Sequence, residues 1–121
     1  MLKALVIDDV QENLQYFEDI LRKFGFKTLL AESAEAALKL VDQHLDVIFL
    51  DYNMPGMDGF EFIEVFRNIP RHESVPIIMI STDLAVNQTA VRHGLAQAWL
   101  IKRPSEKMVE GTLKKLGVMS A

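Results

Sequence analysis

Asp8 and Asp9, Asp51, Ser81 with Thr82, and Lys102 each stand directly after a short apolar run. If those runs are neighbouring strands, three carboxylates, a hydroxyl and an amine gather at one edge. Two carboxylates about 5 Å apart repel by roughly 3 kcal/mol at an effective dielectric near 20, and a third adds to it. Such a cluster calls for a counter-ion. Taken singly, each residue also has a local role. Asp9 reads as a cap of the first helix with Glu12 as its reciprocal partner. Ser81 and Asp51 read as turn formers, and Lys102 as a solvated surface lysine.

No histidine or cysteine follows any of these runs, and oxygen ligands alone select a hard cation. The oxygens are too few to close a calcium cage. Magnesium keeps several waters and leaves coordination open for a phosphate oxygen, so it suits the set better. A metal, a carboxylate that it does not fully use, a hydroxyl and a lysine together suit phosphoryl transfer to a carboxylate nucleophile.

The elements that must position these groups are legible as periodicity. Residues 4–7, 47–50, 77–80 and 99–101 are apolar runs too short for buried helices, mostly rich in β-branched residues, and predict buried strands. Residues 26–30 form a weaker fifth candidate. Between them Leu14, Phe17, Leu21 and Phe24 recur at helical spacing, as do Ala34, Ala37, Leu38 and Val41, and later Val109, Leu113 and Leu116. Asp58 with Glu61 forms a capping box, Asp83 and Ser105 are N-caps, and Gly25, Gly94 and Gly117 stand where helices should stop. Strands alternating with helices predict an α/β fold: a five-stranded parallel sheet with right-handed crossovers and helices on both faces.

The 121 residues suit one domain, 1–121, with globular composition: 50% hydrophobic and 25% charged. A net charge of -4 argues against a grip on nucleic acid by basic charge. Without cysteine there are no disulfides and no thiolate metal site. The opening MLKALVIDD has four consecutive apolar residues before its acids, too few for a signal peptide or membrane span. A cytoplasmic domain without membrane attachment is expected. His44 and His72 read as surface residues, and Arg92 and His93 as solvated helix-end charges.

The chain resembles the receiver domain of two-component response regulators. Asp8-Asp9 match the family's acidic pair after its first strand. Asp51, Met54, Pro55, Met57, Asp58 and Gly59 match its phosphoacceptor loop, D-x-x-M-P-x-M-D-G; Ser81 and Lys102 match the hydroxyl and lysine after later strands. The resemblance implies a flavodoxin-like doubly wound (βα)5 fold and a phosphorylation-controlled switch of the chemotaxis, single-domain type. Asp51 would take a phosphoryl group from a histidine kinase or histidine phosphotransfer protein. Mg2+ would be held by Asp9, Asp51 and the carbonyl of Asn53, with Asp8 acting mainly through a water. Lys102 would bridge to the phosphoryl group, Ser81 would move to hydrogen-bond it, and Trp99 holds the switch-aromatic position. Asn53 and Asp83 occupy the positions that tune phosphoryl lifetime, and their combination implies seconds to minutes. A downstream protein target would dock on the fourth helix, fifth strand and fifth helix, near residues 83–93, 99–102 and 105–116. Beyond self-phosphorylation from a phosphodonor and autodephosphorylation, no enzyme activity is implied.

One departure stands out. The family's lysine directly precedes a proline, often through a cis bond, whereas here Arg103 separates Lys102 from Pro104. Lys102 keeps the spacing to Trp99, and Arg103 keeps the place beside Pro104. The departure supports an alternative, a pseudo-receiver that binds partners without phosphorylation. A phosphohydrolase using an aspartyl phosphate would want an acid two residues after Asp51, where Asn53 cannot transfer a proton. Flavin binding on this fold would want a Ser/Thr/Gly-rich loop after the first strand, which is absent.

Overall fold

A computed structural model describes residues 1–120. The chain runs β1 (Lys3–Ile7), α1 (Gln11–Lys23), β2 (Lys27–Ala31), α2 (Ala34–Leu38), β3 (Val47–Asp51), α3 (Gly59–Arg67), a 3-10 turn (Pro70–His72), β4 (Ile77–Ser81), α4 (Leu84–Arg92), β5 (Ala98–Ile101) and α5 (Glu106–Lys115). All neighbouring strands pair in parallel, in the order β2-β1-β3-β4-β5. The expected α/β fold is therefore the observed one. The order reverses between β1 and β3, so the carboxyl ends of those strands flank the crevice where such sheets place their sites.

Alternate residues of each strand feed opposite faces. Leu5, Ile7, Ile48, Leu50, Ile77 and Met79 pack with Ala34 and Ala37 of α2, Phe62 and Phe66 of α3, and Ala90 of α4. Ala4, Val6, Val47, Phe49, Ile78 and Ile80 pack with Leu14, Phe17 and Leu21 of α1 and Val109 and Leu113 of α5. The central strands β3 and β4 are buried along their whole length, as their unbroken apolar runs require. The weak fifth strand is present as β2, one residue later than the sequence suggested, with Phe26 buried beneath α1.

The caps at Asp58, Asp83 and Ser105 form as expected, and Asp58 with Glu61 closes a full capping box. Gly94 follows α4 with φ +72°, a backbone that side chains rarely adopt. The helical pattern over 34–41 shortens to Ala34–Leu38, and Val41 reaches the core from the loop beyond it.

Two readings are corrected. Asp9 does not cap α1: the helix begins at Gln11, its cap position is Val10, and no side chain caps it. Instead Asp8 Oδ1 accepts the Val10 N–H at 2.9 Å, which turns the chain and leaves Asp9 exposed beside the strand ends. His72 is not a surface residue but 1% exposed. The 3-10 turn folds its ring against Phe66, centroids 4.6 Å apart, with Nε2 2.6 Å from the Val41 carbonyl oxygen. His44 is exposed, paired with Asp46.

Candidate functional site

Asp8 follows β1, and Asp51 ends β3 immediately beside it in the sheet. Carboxylate oxygens of Asp8, Asp9 and Asp51 lie within 4.8 Å of one another. Asp8 is fully buried and Asp51 nearly so, while Asp9 faces solvent. Lys102, after β5, reaches across the end of β4 to join them. Its Nζ lies 2.7 Å from Asp8 Oδ2 and 3.0 Å from Asp51 Oδ1.

The electrostatics follow from this packing. Burial first, then the neighbouring Asp8 charge, pushes the Asp51 carboxyl from 3.8 to about 6, against the opposing pull of Lys102. For Lys102, burial disfavours the charge, but contact with Asp8 and Asp51 outweighs it and raises the ammonium above its usual range. With all three acids ionised, one lysine leaves two negative charges uncompensated, three less one. Asp8 Oδ2 is sealed from solvent and, apart from its ion pair with Lys102, has no aligned hydrogen-bond donor. A buried carboxylate oxygen served only by Lys102, an all-oxygen ligand set and a surplus of two charges together fit a hard divalent cation.

The loop after β3 is held close. Gly59 begins α3 with its N–H on the Tyr52 carbonyl at 3.0 Å. A Cβ at Gly59 would meet the Asp51 carbonyl oxygen at 3.0 Å and Tyr52 Cα at 3.1 Å, both backbone atoms that would have to shift to make room. Glycine thus lets α3 start close to Asp51 without displacing the backbone. Glu35 accepts the Met57 N–H at 3.2 Å and so ties the same loop to α2.

Four expected site residues, Asp8, Asp9, Asp51 and Lys102, converge. Ser81 is buried at the end of β4, next to Asp51's strand, and its Oγ accepts the Asp83 N–H at 3.0 Å. Asp83 caps α4 through the N–H groups of Ala85 and Val86, and Asn53 is exposed in the loop. Trp99 stands apart, half-buried on β5. With Val91, Ala98, Thr112 and Leu116 it lines a cavity of about 330 Å³ between β5, α4 and α5. The choice between Lys102 and Arg103 resolves by contact: Lys102 takes the acids, while Arg103 turns to Asn13, Nε to Oδ1 2.7 Å. The cis bond joins Lys102 to Arg103, not Arg103 to Pro104.

Two asparagines escaped the sequence reading. Asn13 is 6% exposed and donates from Nδ2 to Asp8 Oδ1 at 3.3 Å. Asn87 is wholly buried and donates from Nδ2 to the carbonyls of Ser81 and Leu100. Their signal was an amide interrupting the inward stripe of a helix, and helical asparagines are more often solvated.

Residues 4–109 match the family model described as the response regulator receiver domain. The chain is 33% identical over 85 residues to chemotaxis protein CheY1 of Helicobacter pylori, covering 68% of each chain. It is 34% identical over 82 residues to protein PilG of Pseudomonas aeruginosa, covering 67% of this chain and 61% of PilG. Against the cyclic di-GMP phosphodiesterase response regulator RpfG of Xanthomonas campestris it is 42% identical and spans 25% of that protein's length. Among solved structures, chemotaxis response regulator CheY4 of Vibrio cholerae superposes with a TM-score of 0.86 at 31% identity, covering 96% of this chain and 98% of CheY4. Response regulator protein TrrA of Thermotoga maritima, solved in complex with Mg2+ and BeF, superposes at 0.84 with 25% identity, covering 96% and 99%. Motif, topology and these likenesses agree: the chain belongs to the response regulator receiver domains, the phosphorylation-based signalling switches of two-component systems.

Proposed function

We propose that Asp51 is the phosphoacceptor of this receiver and that a histidine kinase or histidine phosphotransfer protein supplies the phosphoryl group. The observation that carries the reading is Lys102 Nζ held between Asp8 Oδ2 and Asp51 Oδ1 at the switch point of the sheet. The pseudo-receiver alternative rests on the Arg103 insertion, and despite that insertion Lys102 stands at the acids while Arg103 turns to Asn13.

An oxygen of ionised Asp51 forms a bond to phosphorus as the bond from phosphorus to the donor imidazole nitrogen breaks, and the freed imidazole carries away the electron pair. A carboxyl titrating at about 6 is largely ionised at neutral pH, so the nucleophile is ready. Lys102 stands 3.0 Å from Asp51 and meets the charge that arrives with the phosphoryl oxygens. Asp8, Asp9, Asp51 and the carbonyl of Asn53 would hold Mg2+, Asp8 through a water. When bound, the ion supplies the missing positive charge and a fixed seat for a phosphoryl oxygen. The TrrA complex with Mg2+ and BeF supports this choice of ion.

Ser81 Oγ, which accepts the Asp83 N–H, would turn away from it to bring its O–H within reach of the phosphoryl group as a donor. Because Asp83 caps α4, the same step moves the start of that helix. The α4-β5-α5 face around Trp99 would thereby change, and with it the grip on a downstream protein target. Asn53, two residues after Asp51, and Asp83, two after Ser81, form the lifetime-tuning pair, for a phosphorylated form lasting seconds to minutes.

Acetyl phosphate with magnesium, followed by intact mass, tests the reading. One added phosphoryl group is expected on the wild type and none on Asp51→Asn or on the wild type in EDTA. Wild-type protein that stays at its unmodified mass would overturn it.

A further inference from the structure

Arg103 and Asp8 are connected through one buried amide. Arg103 Nε donates to Asn13 Oδ1 at 2.7 Å, and Asn13 Nδ2 donates to Asp8 Oδ1 at 3.3 Å. The guanidinium carbon sits 5.4 Å over the Tyr16 ring, and the Tyr16 hydroxyl donates to the Pro104 carbonyl, so both side chains of the pair are anchored from α1 and the turn after β5.

An amide has a donor end and an acceptor end, and rotation about its last bond exchanges them. If Asn13 flipped, its oxygen would face Asp8 Oδ1, acceptor against acceptor. The Arg103 N–H prevents this because it can donate only to the oxygen end. Asp8 Oδ1 is then saturated by Asn13 and by the Val10 N–H, which leaves Oδ2 as the oxygen turned to Lys102 and the acid cluster.

We infer that Arg103 and Asn13 are positioning residues that fix which oxygen of Asp8 serves the divalent cation. The inference rests on the proposed reading of Asp8, Asp9 and Asp51 as that cation's site. It makes a prediction opposite in sign to simple charge. Removing a cation near an acidic site should tighten binding of a second cation through space. Removing a positioning donor should weaken it, by about tenfold where outer-shell partners of a metal site are lost.

Calorimetric titration of Mg2+ into the apo-protein distinguishes the two. Arg103→Ala and Asn13→Ala should each weaken binding about tenfold. Since Arg103 acts through Asn13, Arg103→Ala in the Asn13→Ala background should add nothing. Arg103→Lys, which keeps an N–H donor but not the guanidinium geometry, should recover part of the loss. In acetyl-phosphate labelling, half-saturation in Mg2+ should shift by the same factor while the rate at saturating Mg2+ stays near wild type. Arg103 is exposed, so its variant should fold; Asn13→Ser replaces Asn13→Ala if circular dichroism shows that the latter does not. Unchanged or tighter binding in Arg103→Ala, or effects that add in the double variant, overturns the inference while the cation site stands. A wild type that binds no Mg2+ overturns the cation site itself, and the inference with it.

Discussion

Asn87 of α4 donates its amide to the carbonyl oxygen of Ser81 at 3.0 Å and, more loosely, to that of Leu100 at 3.4 Å. One wholly buried side chain thus ties the helix to the ends of β4 and β5, the strands that carry Ser81 and lead into Lys102. Its Oδ1 is buried without a partner, a polar group that the fold tolerates in order to hold the other end. Asn87→Ala should lower stability by about 1–3 kcal/mol, since two carbonyls lose a donor. Asn87→Asp should cost more, because it turns a carboxylate toward those same acceptors. Urea melts at fixed pH check both; an alanine variant with the wild-type midpoint would show that the tie carries no weight.

Asp51 links stability to pH. Its folded pKa, about 6, lies above its ordinary 3.8, so the native state favours the protonated carboxyl. That stabilisation is complete below 3.8 and disappears as pH rises through about 6. Asp51→Asn, which never ionises, should therefore be more stable than wild type at about pH 7.5 without divalent cations, by about 1–2 kcal/mol after allowing for solvent screening at the open side of the site. Near pH 4 the two should converge. Millimolar magnesium should close the gap at neutral pH by stabilising the wild type selectively. Denaturation curves at both pH values, with EDTA and with magnesium, measure this directly.

Asp83 has a structural duty that its proposed lifetime role must be separated from. Asp83→Ala removes the cap of α4 and should cost about 1 kcal/mol. Asp83→Ser keeps a capping oxygen and loses the charge, so it should melt near wild type. If the carboxylate tunes the acyl phosphate, both variants should change the decay rate after donor removal. A change in alanine alone would assign the effect to the cap, and a wild-type decay lasting many hours would end the short-lifetime proposal.

Two glycines should respond oppositely to alanine. At Gly59 the new methyl meets backbone at 3.0 and 3.1 Å, so α3 or Asp51 must shift; a loss of about 1–3 kcal/mol and slower acetyl-phosphate labelling are expected. Gly111 lies inside α5 with nothing within 4 Å of the added carbon. Alanine there should stabilise by about 0.5–1 kcal/mol and leave labelling unchanged. Thermal melts alongside mass spectrometry of the labelled proteins compare the two.

Much of this molecule was legible along the chain because local patterns answer to local physics. The unbroken apolar runs at Val47–Leu50 and Ile77–Ile80 suit only strands covered on both faces, and parallel strands must align their carboxyl ends. From that alone Asp8, Asp9, Asp51 and Lys102 had to meet. The loop signature from Asp51 to Gly59 pointed to the family, and at Gly59 a side chain would crowd the Asp51 and Tyr52 backbone.

Only the folded chain decided what depends on partners distant in sequence. Asp9 looked like a helix cap, yet Asp8 claimed the Val10 N–H first. His72 looked like a surface residue, yet Val41 and Phe66, remote along the chain or across a turn, enclose it. Periodicity marks the face on which a side chain stands, but not the partner waiting there. Asn13, Asn87 and Arg103 find theirs 5 to 90 residues away. The choice of Lys102 over Arg103 was settled in the same way, by two carboxylates that only the tertiary fold brings within 3.0 Å of one amine.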